Sequence, residues 1–159
     1  MEKSIIFLDF DGVLNTEQHQ MQLAVTGRLG KDLWGPLFSP TAVVNLRKIL
    51  DTTDARIVIS SSWRCVHGLG GLRMMWDVRE LPGELHATLP CEPSYLSRGE
   101  EIENWLNRHN RPNYVIMDDL NDFMPSQYDR YVEVNPITGI TEANAQKAIT
   151  ILKQTCLAK

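Results

Sequence analysis

The stretch Ser4-Ile5-Ile6-Phe7-Leu8-Asp9-Phe10-Asp11-Gly12-Val13-Leu14 decides how this chain is read. Four successive apolar side chains, Ile5 to Leu8, leave no wet face. Such a run suits a short strand covered on both sides, as in a parallel sheet. The strand, read as residues 4–9, runs straight into a carboxylate at Asp9. A second carboxylate follows at Asp11, and Gly12 then supplies a turn.

Working outward, the same pattern recurs. Ile57-Val58-Ile59 marks a strand over residues 56–60, residues 85–89 a weaker one, Tyr114 to Met117 another buried-type strand, and Tyr131 to Val134 a fifth. Between them lie helical patterns. Ser39-Pro40 reads as an N-cap with proline in the first turn, followed by Val43, Leu46, Ile49 and Leu50 at helical spacing over residues 40–51. Gly68, Gly70 and Gly71 mark a loop. A short helix around Leu72, Met75, Trp76 and Arg79 ends before Pro82. Residues 99–109 put Ile102, Trp105 and Leu106 on one face. Thr141 caps a last helix whose apolar face is Ala145, Ala148, Ile149, Leu152 and Cys156. Residues 16–38, with Gly27, Gly30, Gly35 and Pro36, read as a long loop or small insert. Strands alternating with helices predict an α/β fold: a Rossmann-like three-layer sandwich around a mostly parallel five-stranded sheet.

Composition agrees with a folded domain. The chain has 159 residues, 43% hydrophobic and 23% charged, which excludes disorder, collagen-like repeats and a fibrous coiled coil. This length predicts a single domain over residues 1–159 with a full core. A net charge of −4 is not that of a protein coating long nucleic acid. Cys65, Cys91 and Cys156 are odd in number and lack metal-type spacing, so no disulfide framework is expected and a reducing compartment is. The apolar run before Asp9 is too short for a signal peptide or membrane span, which predicts a cytoplasmic protein without a membrane partner.

In open parallel sheets, ligands bind beyond the carboxyl ends of the strands. The first strand ends in Asp9-Phe10-Asp11-Gly12, the second in Ser60-Ser61-Ser62-Trp63-Arg64, and the fourth in Asp118-Asp119, with Asp122 beyond. Arg98 opens the helix leading into the fourth strand. Each feature alone has an ordinary reading: an Asp as turn former, a serine run as polar loop, an arginine as solvated charge. Together they crowd carboxylates at one sheet edge, where they raise one another's pKa unless a hard cation relieves them. Magnesium prefers one or two carboxylates with phosphate oxygens and water. The set therefore points to a magnesium-assisted phosphate site.

These residues resemble the motifs of the haloacid dehalogenase (HAD) superfamily. Phe7-Leu8-Asp9-Phe10-Asp11-Gly12 looks like its first motif and Ile57-Val58-Ile59-Ser60 its second. Arg98 fits its third, and Val115-Ile116-Met117-Asp118-Asp119 its fourth. Ser-Ser-Trp-Arg, Arg-Gly-Glu-Glu-Ile and Asn-Pro-Ile-Thr-Gly-Ile-Thr resemble, more narrowly, a HAD branch of RNA-repair "Swiss army knife" proteins. The resemblance implies a Mg2+-dependent phosphohydrolase. Asp9 would be the nucleophile and Asp11 the general acid and then base. Ser60 would bond the transferring phosphoryl group, and Arg98 would balance its charge. Asp9, the backbone carbonyl of Asp11, Asp118 and Asp119 would form the metal site, Asp119 as ligand or through water.

The insert at residues 15–38 is too short for a folded HAD cap, so the site is expected to be open to bulky phosphorylated substrates. Ser61, Trp63 and Arg64 are expected to contact substrate, with Trp63 stacking on a base and Arg64 holding a neighbouring phosphate. A nucleic-acid end or a nucleotide is the expected substrate. The plainer alternative is that Trp63 is buried and Arg64 pairs with a carboxylate. A second reading of the whole chain is a phospho-ligand-binding module without turnover.

Overall fold

Five short strands, β1 (Ile5–Leu8), β2 (Arg56–Ile59), β3 (Leu85–Thr88), β4 (Tyr114–Asp118) and β5 (Tyr131–Glu133), pair in the order β3-β2-β1-β4-β5. Every pair is parallel. The computed structural model describes residues 2–93 and 95–154. The helices are α1 (Glu17–Val25), α2 (Pro40–Thr53), α3 (Trp63–Val78), α4 (Arg98–Arg108) and α5 (Glu142–Lys153). A 3₁₀ turn, Pro125–Arg130, leads into β5. The fold is a Rossmann-like α/β sandwich, as the alternation of patterns predicts.

The apolar runs explain the layering. In β1, Ile6 and Leu8 point to one face of the sheet and Ile5 and Phe7 to the other, because side chains alternate along a strand. Ile6 and Leu8 join Ile57, Ile59 and Met117 in a core closed by α2, α3 and α5. Ile5 and Phe7 join Val58 and Ile116 under Ile102, Trp105 and Leu106 of α4. Phe7 meets the Trp105 ring edge-on, with centroids 5.3 Å apart. All four β1 side chains are at most 3% exposed, as a continuous apolar run requires.

The helix starts follow the local chemistry. The Ser39 side chain accepts from the Ala42 amide, with Pro40 in the first turn. Thr141 accepts from the Asn144 amide. Ser97 and Glu100 form a reciprocal capping box that fixes where α4 begins.

The structure departs from expectation at three places. Residues 16–38 contain α1, whose start is capped by Thr16 accepting from the His19 amide. The expected loop and short helix between Ser62 and Val78 form one kinked helix, α3, with Gly68 at φ 65° as the break. Cys65 and Cys91 form a disulfide with Cα atoms 5.6 Å apart, where the sequence reading expects no disulfide framework. Nothing in their 26-residue separation announces the pair; the kinked α3 and the chain leaving β3 bring them together. Cys156 lies outside the described residues. Among the described residues no helix is long and apolar enough to cross a membrane.

Candidate active site

β1 lies between β2 and β4, so the order of strands reverses direction there, the usual place for a ligand in such sheets. Leu8 pairs in register with Met117, which sets Asp9 beside Asp118 at the strand ends. The Asp9 amide donates to the Met117 carbonyl at 3.1 Å. Asp9, Asp118 and Asp119 each present a carboxylate oxygen, all within 4.8 Å of one another. Asp118 is 3% exposed, and one of its oxygens accepts from the Leu120 amide at 2.9 Å.

Burial pushes the Asp9 carboxyl up to about 6; the Phe10 amide and Arg98 oppose the shift, and the charges of Asp119 and Asp11 add to it. Burial and the neighbouring Asp9 push Asp118 the same way. Two carboxyls held above their ordinary range, with a third acid beside them, are a donor set that a hard divalent cation fits. Gly12 closes the other side. Its φ is 75°, and a Cβ there would lie 2.5 Å from Asp119 Oδ2 and 2.9 Å from Pro136. A side chain at position 12 would therefore push into the acidic cluster.

The positive side of the site comes from α4. Asp122 fastens its first turn: the Arg98 amide donates to Asp122 Oδ2 at 3.1 Å, and the Gly99 amide to the Asp122 carbonyl at 2.9 Å. Asp122 thus anchors a helix start while also lining the cavity. Arg98 Nε lies 3.4 Å from Glu101, and its Nη1 is buried without a hydrogen-bond partner among the described residues. Ser60, fully buried at the end of β2, likewise has an unpartnered hydroxyl. Buried polar groups are ordinarily paired, so two orphans beside an acidic cluster mark an intended partner. A cavity of about 300 Å³ is lined by Asp9, Asp118, Arg98, Arg64, Ser62 and Leu96, among others. None of its lining residues comes from the insert at 15–38.

Of the residues expected on substrate, Arg64 lines the cavity and Ser61 and Trp63 do not. Ser61 is fully buried, and its hydroxyl accepts from the Trp63 amide, so it supports the start of α3 rather than facing the cavity. Ser62 lines the cavity in its place. Trp63 is 9% exposed and packed against Phe10 and Phe38, which leaves no free face for a base. Its indole nitrogen donates to both Asp11 oxygens, each at 3.2 Å. Arg64 reaches the cavity wall, but its guanidinium is committed. It donates to the Ser60, Ser61 and Pro90 carbonyls and to Glu101 at 2.6 Å. Glu101 is therefore the carboxylate the plainer alternative asked for, and it bridges Arg64 and Arg98. Its i,i+3 spacing from Arg98 was visible in the sequence; its pairing with Arg64, 37 residues away, was not. Asp11 stands apart from the acidic trio, exposed, with Asn15 Nδ2 donating to its Oδ1 at 2.6 Å.

No curated protein and no solved structure gives a significant match to the chain. Residues 5–145, from β1 into α5, match the family described as the HAD domain in Swiss Army Knife RNA repair proteins. With the motif residues gathered at the switch point of a parallel sheet and the match spanning most of its length, the chain belongs to that HAD family.

Proposed function

We propose that this protein is a magnesium-dependent phosphatase that works through an aspartyl-phosphate on Asp9 and acts on the phosphate of a nucleic-acid end or nucleotide. The observation that carries the reading is the pairing of opposites at one strand edge: three clustered carboxylates beside an arginine whose Nη1 has no partner among the described residues. A phosphoryl group suits such a site, since its oxygens satisfy the arginine and the acids would hold a cation that offsets its charge.

Asp9 attacks phosphorus while the bond to the leaving oxygen breaks, and Asp11 gives that oxygen its proton. Asp11 then takes a proton from water as the water attacks the aspartyl-phosphate, which frees Asp9 and releases phosphate. Arg98 offers its unpaired donor to the phosphoryl oxygens, and the Ser60 hydroxyl holds one of them. Asp9, Asp118, Asp119 and the Asp11 carbonyl would hold magnesium. When bound, it neutralises the acids and draws charge from the transferring group. Glu101 keeps Arg98 and Arg64 aligned along the cavity wall. The insert contributes no lining residue, which supports an open approach for a bulky leaving group, and the family's RNA-repair context favours a nucleic-acid end.

Assays of purified protein on phosphorylated oligonucleotides, nucleotides, sugar phosphates and an aryl phosphate, with magnesium or EDTA, test this. Turnover is expected only with magnesium, fastest on oligonucleotide ends, and inhibited by beryllium fluoride. Asp9→Asn should lose at least about 10³-fold in kcat, because the nucleophile's charge is gone at almost unchanged volume. Activity retained in Asp9→Asn would remove the aspartyl-phosphate mechanism.

A further inference from the structure

The sequence offers Trp63 as a surface for a base, yet the structure buries the ring and aims its single polar atom at Asp11. The indole donates to Oδ1 and Oδ2 at 3.2 Å each. Asn15 Nδ2 adds a 2.6 Å bond to Oδ1 alone. Among these contacts Oδ1 accepts two and Oδ2 one, so Oδ2 is the less committed oxygen. Asp11 is otherwise an exposed side chain with ordinary rotamer freedom. Two donors from two elements, the first turn after β1 and the start of α3, fix it.

The indole is itself held on several sides. The Phe10 ring meets it edge-on at 5.4 Å, and Phe38 lies at 5.7 Å. The Arg79 guanidinium sits 5.8 Å from the Trp63 ring and 4.6 Å from that of Phe38. Arg79 also forks onto Asp32 at 2.7 and 2.9 Å and donates to the Gly35 carbonyl. Gly35, with φ at 137°, lies so close that a Cβ would be 2.9 Å from the indole Cη2. The insert therefore packs its 32–38 turn against the far end of the ring whose near end holds Asp11.

We propose that Trp63 is a positioning residue for Asp11, and that the insert at 15–38 serves as its buttress rather than as a reduced cap. Resting on the phosphatase reading above, this gives the chain a means of presenting its general acid without a cap domain. The indole and Asn15 fix the carboxylate, leaving Oδ2 to deliver the proton to the leaving oxygen as the bond to phosphorus breaks. Holding the donor in place removes the orientation cost that a mobile aspartate would add to the barrier.

The test rests on the leaving group. The ratio kcat/KM covers events up to the first cleavage of the phosphorus–oxygen bond, and an alkoxide needs a proton there far more than nitrophenolate does. Trp63→Phe should therefore lower kcat/KM on glycerol phosphate by about 10- to 100-fold, while nitrophenyl phosphate changes by less than about 3-fold. Asp11→Asn should show the same preference more strongly. Benzothienylalanine at position 63 keeps the ring shape and removes only the N–H, so it should reproduce Trp63→Phe even if the phenylalanine variant folds poorly. Metal-free protein gives an independent reading: the indole ¹⁵N–¹H resonance of Trp63 should move on Asp11→Asn. An equal loss on both esters, or none on either, overturns the proposal and leaves Trp63 as packing, as does an unmoved indole resonance. If wild-type protein hydrolyses neither ester and binds no beryllium fluoride with magnesium, the phosphatase reading fails as well, even where the resonance moves.

Discussion

At the scale of single residues, the same chemistry reads differently once neighbours are known. Arg64 follows a strand end and, on sequence, suits a phosphate. In the fold its side chain is 4% exposed and paired with Glu101, itself 11% exposed. Burial lowers the Arg64 pKa, and the Arg98 charge adds to the effect, while Glu101 opposes it. A cation so placed is costly to leave and costly to remove. Arg64→Ala would strip donors from three backbone carbonyls and leave Glu101 with Arg98 alone. We expect a loss of about 3 kcal/mol in unfolding free energy, read from urea melts with an unchanged m-value. A loss below about 1 kcal/mol would mean the network is solvated in solution. The sequence gives no sign of Glu101's role, because that role lies in the second arginine it touches.

At the scale of elements, helix caps were legible and the joints were not. Ser39-Pro40 and Thr141 announce their helices through local hydrogen bonds, which need only neighbours in sequence. The α3 kink at Gly68 is harder to foresee. A glycine cluster ordinarily signals a loop, but packing of Leu72, Met75 and Trp76 carries the helix on through it. The first half of that helix then places Cys65 against Cys91. Both cysteines line the cavity, so the disulfide ties the start of α3 to the chain leaving β3 at the site's rim. Closing a loop of 26 residues should stabilise the fold by about 3 kcal/mol on chain-entropy grounds. Cys65→Ser with Cys91→Ser should lower stability by about that amount under non-reducing conditions. Wild-type protein in excess dithiothreitol should fall to the same value. Equal stability with and without reductant, in protein shown by mass to be oxidised, would contradict this.

At the scale of the whole molecule, folding gathers acids that the unfolded chain keeps apart. Asp9 and Asp118 have folded pKa values raised to about 6 and about 7 from 3.8, with burial the largest cause. Between about pH 4 and pH 7 the folded protein holds protons that the unfolded chain has released, so stability falls as pH rises through that range. In EDTA the melting temperature should accordingly drop from pH 5 to pH 7.5, and Asp118→Asn should flatten the drop. Magnesium at about 100 times its dissociation constant should add about 2.7 kcal/mol at pH 7.5, or roughly 5–10 °C. Because protons compete for the same carboxylates, the gain should shrink at pH 5. A melting curve indifferent to both magnesium and pH would mean the cluster is neither buried nor a cation site in solution.

The layered α/β sheet and the strand ends that carry its acids are legible in the chain alone. A short apolar run with no polar gap suits a doubly covered strand, and a carboxylate that ends such a strand lies at the sheet's rim. The place of Arg98 at the start of the helix before the fourth strand is legible in the same way. The disulfide, the Arg64–Glu101 bridge and the burial of Trp63 were decided only by the tertiary structure. Each joins residues from different elements, and sequence spacing carries no information about which loops fold back against one another. Trp63 shows the difference most plainly: its place after β2 was written in the chain, while its service to Asp11, 52 residues earlier, depends on how the insert packs behind it.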